Sequence, residues 1–150
     1  MDIKNDRSVA GAIAGLVGSI IQEMSTLIIK YLGFSDKSFI DYSSVMVMFH
    51  RPNNFMELVV AWTAHFAVGI TLGLLFVQVF MITSAKYLFL KGIFYGFVLW
   101  FILLGLGTVF RLPEFTSLPW NVAMTTFIGS LVWSLSVAYI LRILEKTTLI

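Results

Sequence analysis

Four apolar stretches near Val9–Ile29, Leu58–Ile82, Gly92–Phe110 and Leu118–Leu141 fill most of the chain. A bilayer hydrocarbon core takes about 20 helical residues to cross, and each stretch reaches that length. In lipid no water satisfies backbone polar groups, so a span of this kind must close its own hydrogen bonds as a helix. The expected fold is therefore an all-α membrane protein: a four-transmembrane-helix bundle with a short interfacial segment between the first two spans. The spans are expected at 8–31, 55–82, 91–111 and 119–144, within one integral-membrane domain covering 1–150.

Composition agrees. Only 12% of residues are charged and 59% are hydrophobic, against about 25% charged in soluble domains. The net charge of +2 comes from scattered lysines and arginines. No basic run points to nucleic acid. With no cysteine, thiol catalysis, disulfides and cysteine metal sites are excluded.

The N-terminus superficially resembles a signal peptide, because Lys4 and Arg7 precede the apolar run and Ala10-Gly11-Ala12 imitates a cleavage site. Asp2 and Asp6 offset that charge, and the run continues beyond signal length. The expectation is a retained first helix. Residues Phe34–Asn54 are too polar to span. Within them, Ser38–Phe49 mixes apolar and polar residues as a short surface-lying helix would, although an ordered loop fits as well. Arg51-Pro52-Asn53-Asn54 marks a turn, Thr83–Leu90 a short connection, and Leu112–Pro119 a tight hairpin.

Lysines and arginines divide six to four across the membrane. Lys4, Arg7, Lys86, Lys91, Arg142 and Lys146 lie on one side, and Lys30, Lys37, Arg51 and Arg111 on the other. This bias places both termini in the cytoplasm.

Three glycine pairs have spacing four: Gly11/Gly15, Gly69/Gly73 and Gly92/Gly96. Each pair opens one helix face to close approach by another backbone. Packing within one bundle is the simpler reading, and a homodimer or partner interface the sharper one. The first and third spans open on similar glycine pairs, and Val68-Gly69 matches Ile128-Gly129. A parallel two-plus-two repeat would explain this, but so would chance.

The pointed feature is ionisable groups at membrane depth. Glu23 sits in the first span beside Gln22, Ser19 and Thr26. His65 sits in the second, on a stripe Glu57, Ala61, His65, Gly69, Gly73 that should face protein. Glu23 lies roughly 6 Å and His65 roughly 4–5 Å outward of their span centres at 1.5 Å per residue. A hydrogen-bonded Glu23–His65 pair is expected, with Thr125 and Thr126 of the fourth span within reach. Such a site reads either as interhelical glue or as a proton relay or polar cavity. Trp120 and Tyr87 suit interface positions. The indole of Trp100 should donate to Glu23 or to a carbonyl. No convergent metal set, phosphate-cradling loop or nucleophile elbow is present, so no cofactor and no enzymatic activity are expected.

Lys91-Gly92-Ile-Phe-Tyr95-Gly96-Phe-Val-Leu-Trp100-Phe, the glycine-rich first span and the Pro-Glu hairpin together resemble the small four-span membrane proteins of spore-forming Gram-positive bacteria often labelled YqhR-like. The resemblance implies a bacterial plasma membrane and no defined activity. The leading expectation is a non-enzymatic integral-membrane protein acting through helix association with itself or an envelope partner. The alternative is a small oligomeric transporter or channel using Glu23 and His65.

Overall fold

The computed structural model describes residues 7–81 and 87–148, with the side chains of residue 81 and residues 145–148 left aside. Among the described residues there are five α-helices: α1 (Arg7–Tyr31), α2 (Phe39–Met48), α3 (Phe55–Phe76), α4 (Leu88–Val109) and α5 (Trp120–Thr148). A π-helical turn, Val77–Met81, prolongs α3. Four of these helices are long and apolar enough to cross a membrane.

The helix starts follow local chemistry. Asn54 accepts from the Glu57 amide at 3.0 Å, and the Glu57 carboxylate accepts in return from the Asn53 amide at 2.7 Å. This reciprocal cap satisfies donors that the first turn of α3 would leave open. The helix α4 begins at Leu88, one turn earlier than the expected start at residue 91. Tyr87, at φ 62°, stands before it as the left-handed cap. At its far end α4 stops at Val109, and Arg111 belongs to the following turn. The expected end of the second span at Ile82 and the first half of the Thr83–Leu90 connection lie outside the described residues.

Packing is set by small residues. The helices α1 and α3 run antiparallel with Gly11 facing Gly73 and Gly15 facing Gly69. A Cβ added at Gly15 would overlap the Gly69 carbonyl oxygen, and one at Gly11 would lie 2.8 Å from the Gly73 oxygen. The same register continues to Ser19 and His65. On the other side of α1, Gly18 admits Trp133 and Val137 of α5. Gly92 and Gly96 of α4 lie against Ala138, Ser134 and Ser130 of α5. The resulting spatial order is α3–α1–α5–α4, with extensive contact between successive members.

The helices α3 and α4 form no comparable interface. They meet near their connection, where Tyr95 donates to the Leu72 carbonyl at 3.1 Å and packs edge-on against Phe76 and Phe80. Further along, the space between them is open on one side.

The segment between the first two spans is the short helix α2. Its residues Phe39 to Val45 are all buried, so it enters the bundle rather than lying along its outside. A Cβ at Gly129 of α5 would overlap the Phe39 ring. Tyr42 donates to the Leu103 carbonyl of α4 at 2.7 Å and meets Phe115 edge-on at 4.7 Å. With Val45 and Leu112 these form a second small core.

Charged loops tie this end together. Glu114 accepts from Lys37 at 2.8 Å and from Arg51 Nε at 2.8 Å, and Arg51 also reaches Asp36 at 3.1 Å. Glu114 sits at φ 65°, following Pro113 in a turn closed by the Phe115 amide on the Leu112 carbonyl at 3.1 Å. This is the position of a type II turn that usually holds glycine. The Lys37 hydrogen bond, aided by Arg51, holds the Glu114 carboxyl below its ordinary value despite partial burial. For Asp36, desolvation pushes upward, but the Arg51 hydrogen bond and the Lys37 charge outweigh it, and the group also sits low. Both carboxylates therefore add stability that is complete above their ordinary values and is lost as pH falls through the lowered ones. The melting temperature in detergent should stay level from about pH 7 to 5 and decline below about pH 4. Glu114→Gln should remove most of that decline. At neutral pH it should cost only about 1 kcal/mol, because the pairs are partly exposed.

Candidate functional site

Glu23 and His65 do not meet. His65 Nε2 lies 3.2 Å from the Ser19 carbonyl, and a carbonyl only accepts, so that nitrogen carries the proton. Its ring packs near Phe39 and Trp62. Glu23 instead receives the start of α2: its Oε2 accepts from the Ile40 amide at 3.2 Å and from Thr26 at 3.4 Å. The expected pair is replaced because α2 supplies a better partner. Amides of a first helical turn lack acceptors within their own helix, and the helix N-terminus favours negative charge. The second carboxylate oxygen, Oε1, is occluded and has no partner among the described residues.

The other expected members scatter. Thr125 donates to the Asn121 carbonyl and Thr126 to the Ala123 carbonyl, both within α5. Glu57 belongs to the cap of α3 and joins neither Glu23 nor His65. The stripe that runs down from it does face protein: Ala61, His65, Gly69 and Gly73 are all buried. Trp100 takes the carbonyl option, donating to Ala123 at 3.1 Å. Gln22 lies beside Glu23 in sequence, yet the two line different spaces.

The first space is the cleft between α3 and α4, a cavity of about 160 Å³. Its walls are Val68 and Leu72 of α3 and Leu99, Ile102 and Leu103 of α4. Its floor, on α1 and α5, carries Ser19, Gln22, Ser130 and Trp133, while Phe39 and Tyr42 of α2 close one end. Trp133 is buried and donates to Ser19 Oγ at 3.2 Å, which fixes the floor.

The second space is a vestibule of about 530 Å³ between α1, the start of α2 and the start of α3. Glu23, Ser38, Asn53 and Asn54 line it, with Lys30 and Asp41 paired at 2.7 Å on its side. Among the described residues no three histidine or carboxylate side chains gather as metal ligands.

The chain matches no family model, no curated protein and no solved structure. Ser130, Ser43 and Tyr42, which the sequence did not mark as site residues, complete the cleft. The available signal was Ser38-x-x-Asp41: Asp41 accepts from the Ser38 amide at 2.9 Å, the pattern of a capping box that starts a helix.

Proposed function

We propose that this chain is a small non-enzymatic integral-membrane protein that works by association inside the bilayer, through the cleft between α3 and α4. The carrying observation is that two spans consecutive in sequence, α3 and α4, part beyond Tyr95 and leave a cavity between them. The glycine faces, by contrast, are used within the fold: Gly11, Gly15, Gly69 and Gly73 between α1 and α3, and Gly92 and Gly96 against α5. Packing of small residues drives helix association in lipid, and here that packing builds the bundle itself. The association surface moves accordingly to the unfilled seam between α3 and α4. The six-to-four division of lysine and arginine supports cytoplasmic termini, and the YqhR-like resemblance supports a bacterial plasma membrane.

The test is a photo-crosslinking side chain at Ile102, on the rim of the cleft, compared with one at Val59 on the outer face of α3. The two positions are similarly exposed, at 46% and 44%. In native membranes Ile102 should give a discrete, saturable adduct and Val59 only bulk lipid. Indistinguishable bulk-lipid adducts from both positions would sink the proposal.

The vestibule favours a second reading, a small oligomeric transporter or channel. Glu23 lines a space of mixed polar and apolar walls wide enough for water, and its Oε1 has no partner among the described residues; intramembrane carboxylates often mark ion paths. His65 lines the cleft rather than the vestibule, so under this reading Glu23 carries the route alone, and proteoliposomes should move protons or ions. Under the leading reading they move none.

A further inference from the structure

Resting on the cleft as the surface of association, we propose that its occupant is a neutral lipid with a ring-sized head bearing one hydroxyl or carbonyl oxygen, held at mid-membrane depth by Gln22 and Ser130.

Size is the first argument. An apolar cavity of about 150 Å³ accommodates a single benzene ring, and this one measures about 160 Å³. It opens sideways between Val68 of α3 and Ile102 of α4, which are 47% and 46% exposed. A hydrocarbon tail can therefore leave the cleft directly into the bilayer.

Unfilled hydrogen-bonding capacity is the second. The polar side chains around the cleft are mostly committed: Ser19 donates to the Gly15 carbonyl, Ser43 to the Phe39 carbonyl, and His65 to the Ser19 carbonyl. Gln22 and Ser130 are different. They are 6% and 4% exposed, and neither side chain hydrogen-bonds to any described residue. Among the described residues Glu23 Oε1 is the one fully occluded side-chain atom without a partner, so the polar atoms of Gln22 and Ser130 keep access to the cleft they line. An amide offers two donors and an acceptor, and a hydroxyl offers one donor and two lone pairs. Leaving such groups unmatched in an apolar setting costs about 1–3 kcal/mol each, which a ligand oxygen would offset.

Depth and charge select the class. Gln22 lies three residues past the middle of Arg7–Tyr31, and Ser130 two residues before the middle of Trp120–Leu144, so both sit within roughly 5 Å of the span centres at 1.5 Å per residue. The hydrocarbon core extends about 15 Å to either side of the midplane. A phospholipid headgroup anchored at the interface does not reach this floor. No charged residue lines the cleft, which disfavours a charged head there.

The full chain in phosphatidylglycerol–phosphatidylethanolamine nanodiscs should be labelled with a diazirine-bearing alkylphenol. Adducts are expected on Val68, Leu99 and Leu103. 4-Decylphenol should displace the label at about tenfold lower concentration than decylbenzene, the effect of roughly 1.4 kcal/mol from hydrogen bonding. Ser130→Ala, nearly isosteric and safe for folding, should reduce that preference to about threefold, and Gln22→Met with Ser130→Ala should abolish it. Equal potency of the two competitors on the unaltered protein, or an undiminished preference in the double variant, overturns this inference. Saturable labelling of the cleft without phenol preference would overturn the inference while leaving the association reading intact. Absence of saturable labelling there would likewise overturn the inference, and the association reading would then stand or fall on the Ile102 adduct in native membranes.

Discussion

Gly15→Leu will destabilise the bundle by more than about 3 kcal/mol, at the upper end of what overpacked substitutions cost. The size of the effect follows from what the new side chain meets. At Gly15 the nearest atoms are the Gly69 carbonyl, with its carbon at 3.0 Å, and the Gly73 Cα at 3.1 Å. All are backbone, and no rotamer change moves them aside. The helices α1 and α3 must separate, and the register that places Ser19 against His65 goes with them. Gly96→Ala should be milder, because its nearest obstacle is the Ser134 hydroxyl, which can rotate. Gly105 has no atom within 4 Å of an added Cβ. Gly105→Ala should leave stability unchanged or raise it by about 0.5–1 kcal/mol through helix propensity. Thermal melts of the three variants in one detergent check the order. A Gly15→Leu melting temperature equal to that of the unaltered protein would refute the close crossing.

The two faces of that crossing were legible in advance, because spacing four writes a helix face directly into the sequence, but spacing alone did not say which faces would meet. The stripe Ala61, His65, Gly69, Gly73 was readable for the same reason. The partner of Glu23 was not. Depth arithmetic set Glu23 and His65 at similar heights, and the structure keeps them close in register. Height along a helix, however, carries no information about a third element entering between side chains. Asp41, Ser43 and Ser44 made α2 look like a surface segment, yet all three are buried. Their polar atoms are satisfied locally, by Lys30, the Phe39 carbonyl and the His50 carbonyl. A polar residue that closes its own hydrogen bonds can enter the bundle at little cost, and composition cannot distinguish it from one facing water. The loop ion pairs were hidden differently: Lys37 and Glu114 are separated by 77 residues, and only the arrangement of the spans brings their loops together. The early start of α4 escaped because Leu88-Phe89-Leu90 carries no turn residue to mark either choice.

Glu23 should prove to be the anchor of α2, and two replacements of it should differ sharply in cost. Glu23→Gln keeps an oxygen that can accept from the Ile40 amide, and it should cost less than about 1 kcal/mol. Glu23→Ala removes the acceptor and leaves a buried amide unpaired at the start of a helix, with a cavity beside it. Unsatisfied groups cost about 1–3 kcal/mol and lost volume adds to that, so about 3 kcal/mol is expected. The loss should fall on α2 before the four spans, because α1, α3, α4 and α5 hold one another without it. In Glu23→Ala, amide exchange across Phe39–Val45 should accelerate while that of the α1–α3 crossing stays slow. Tyr42 would then leave the Leu103 carbonyl, and the end of the cleft that Phe39 and Tyr42 close would open. Undisturbed exchange in α2 of Glu23→Ala would show that its buried apolar face, not the carboxylate, holds the helix in place. If the exchange does accelerate, Glu23 governs the shape of a cleft that its own side chain does not line.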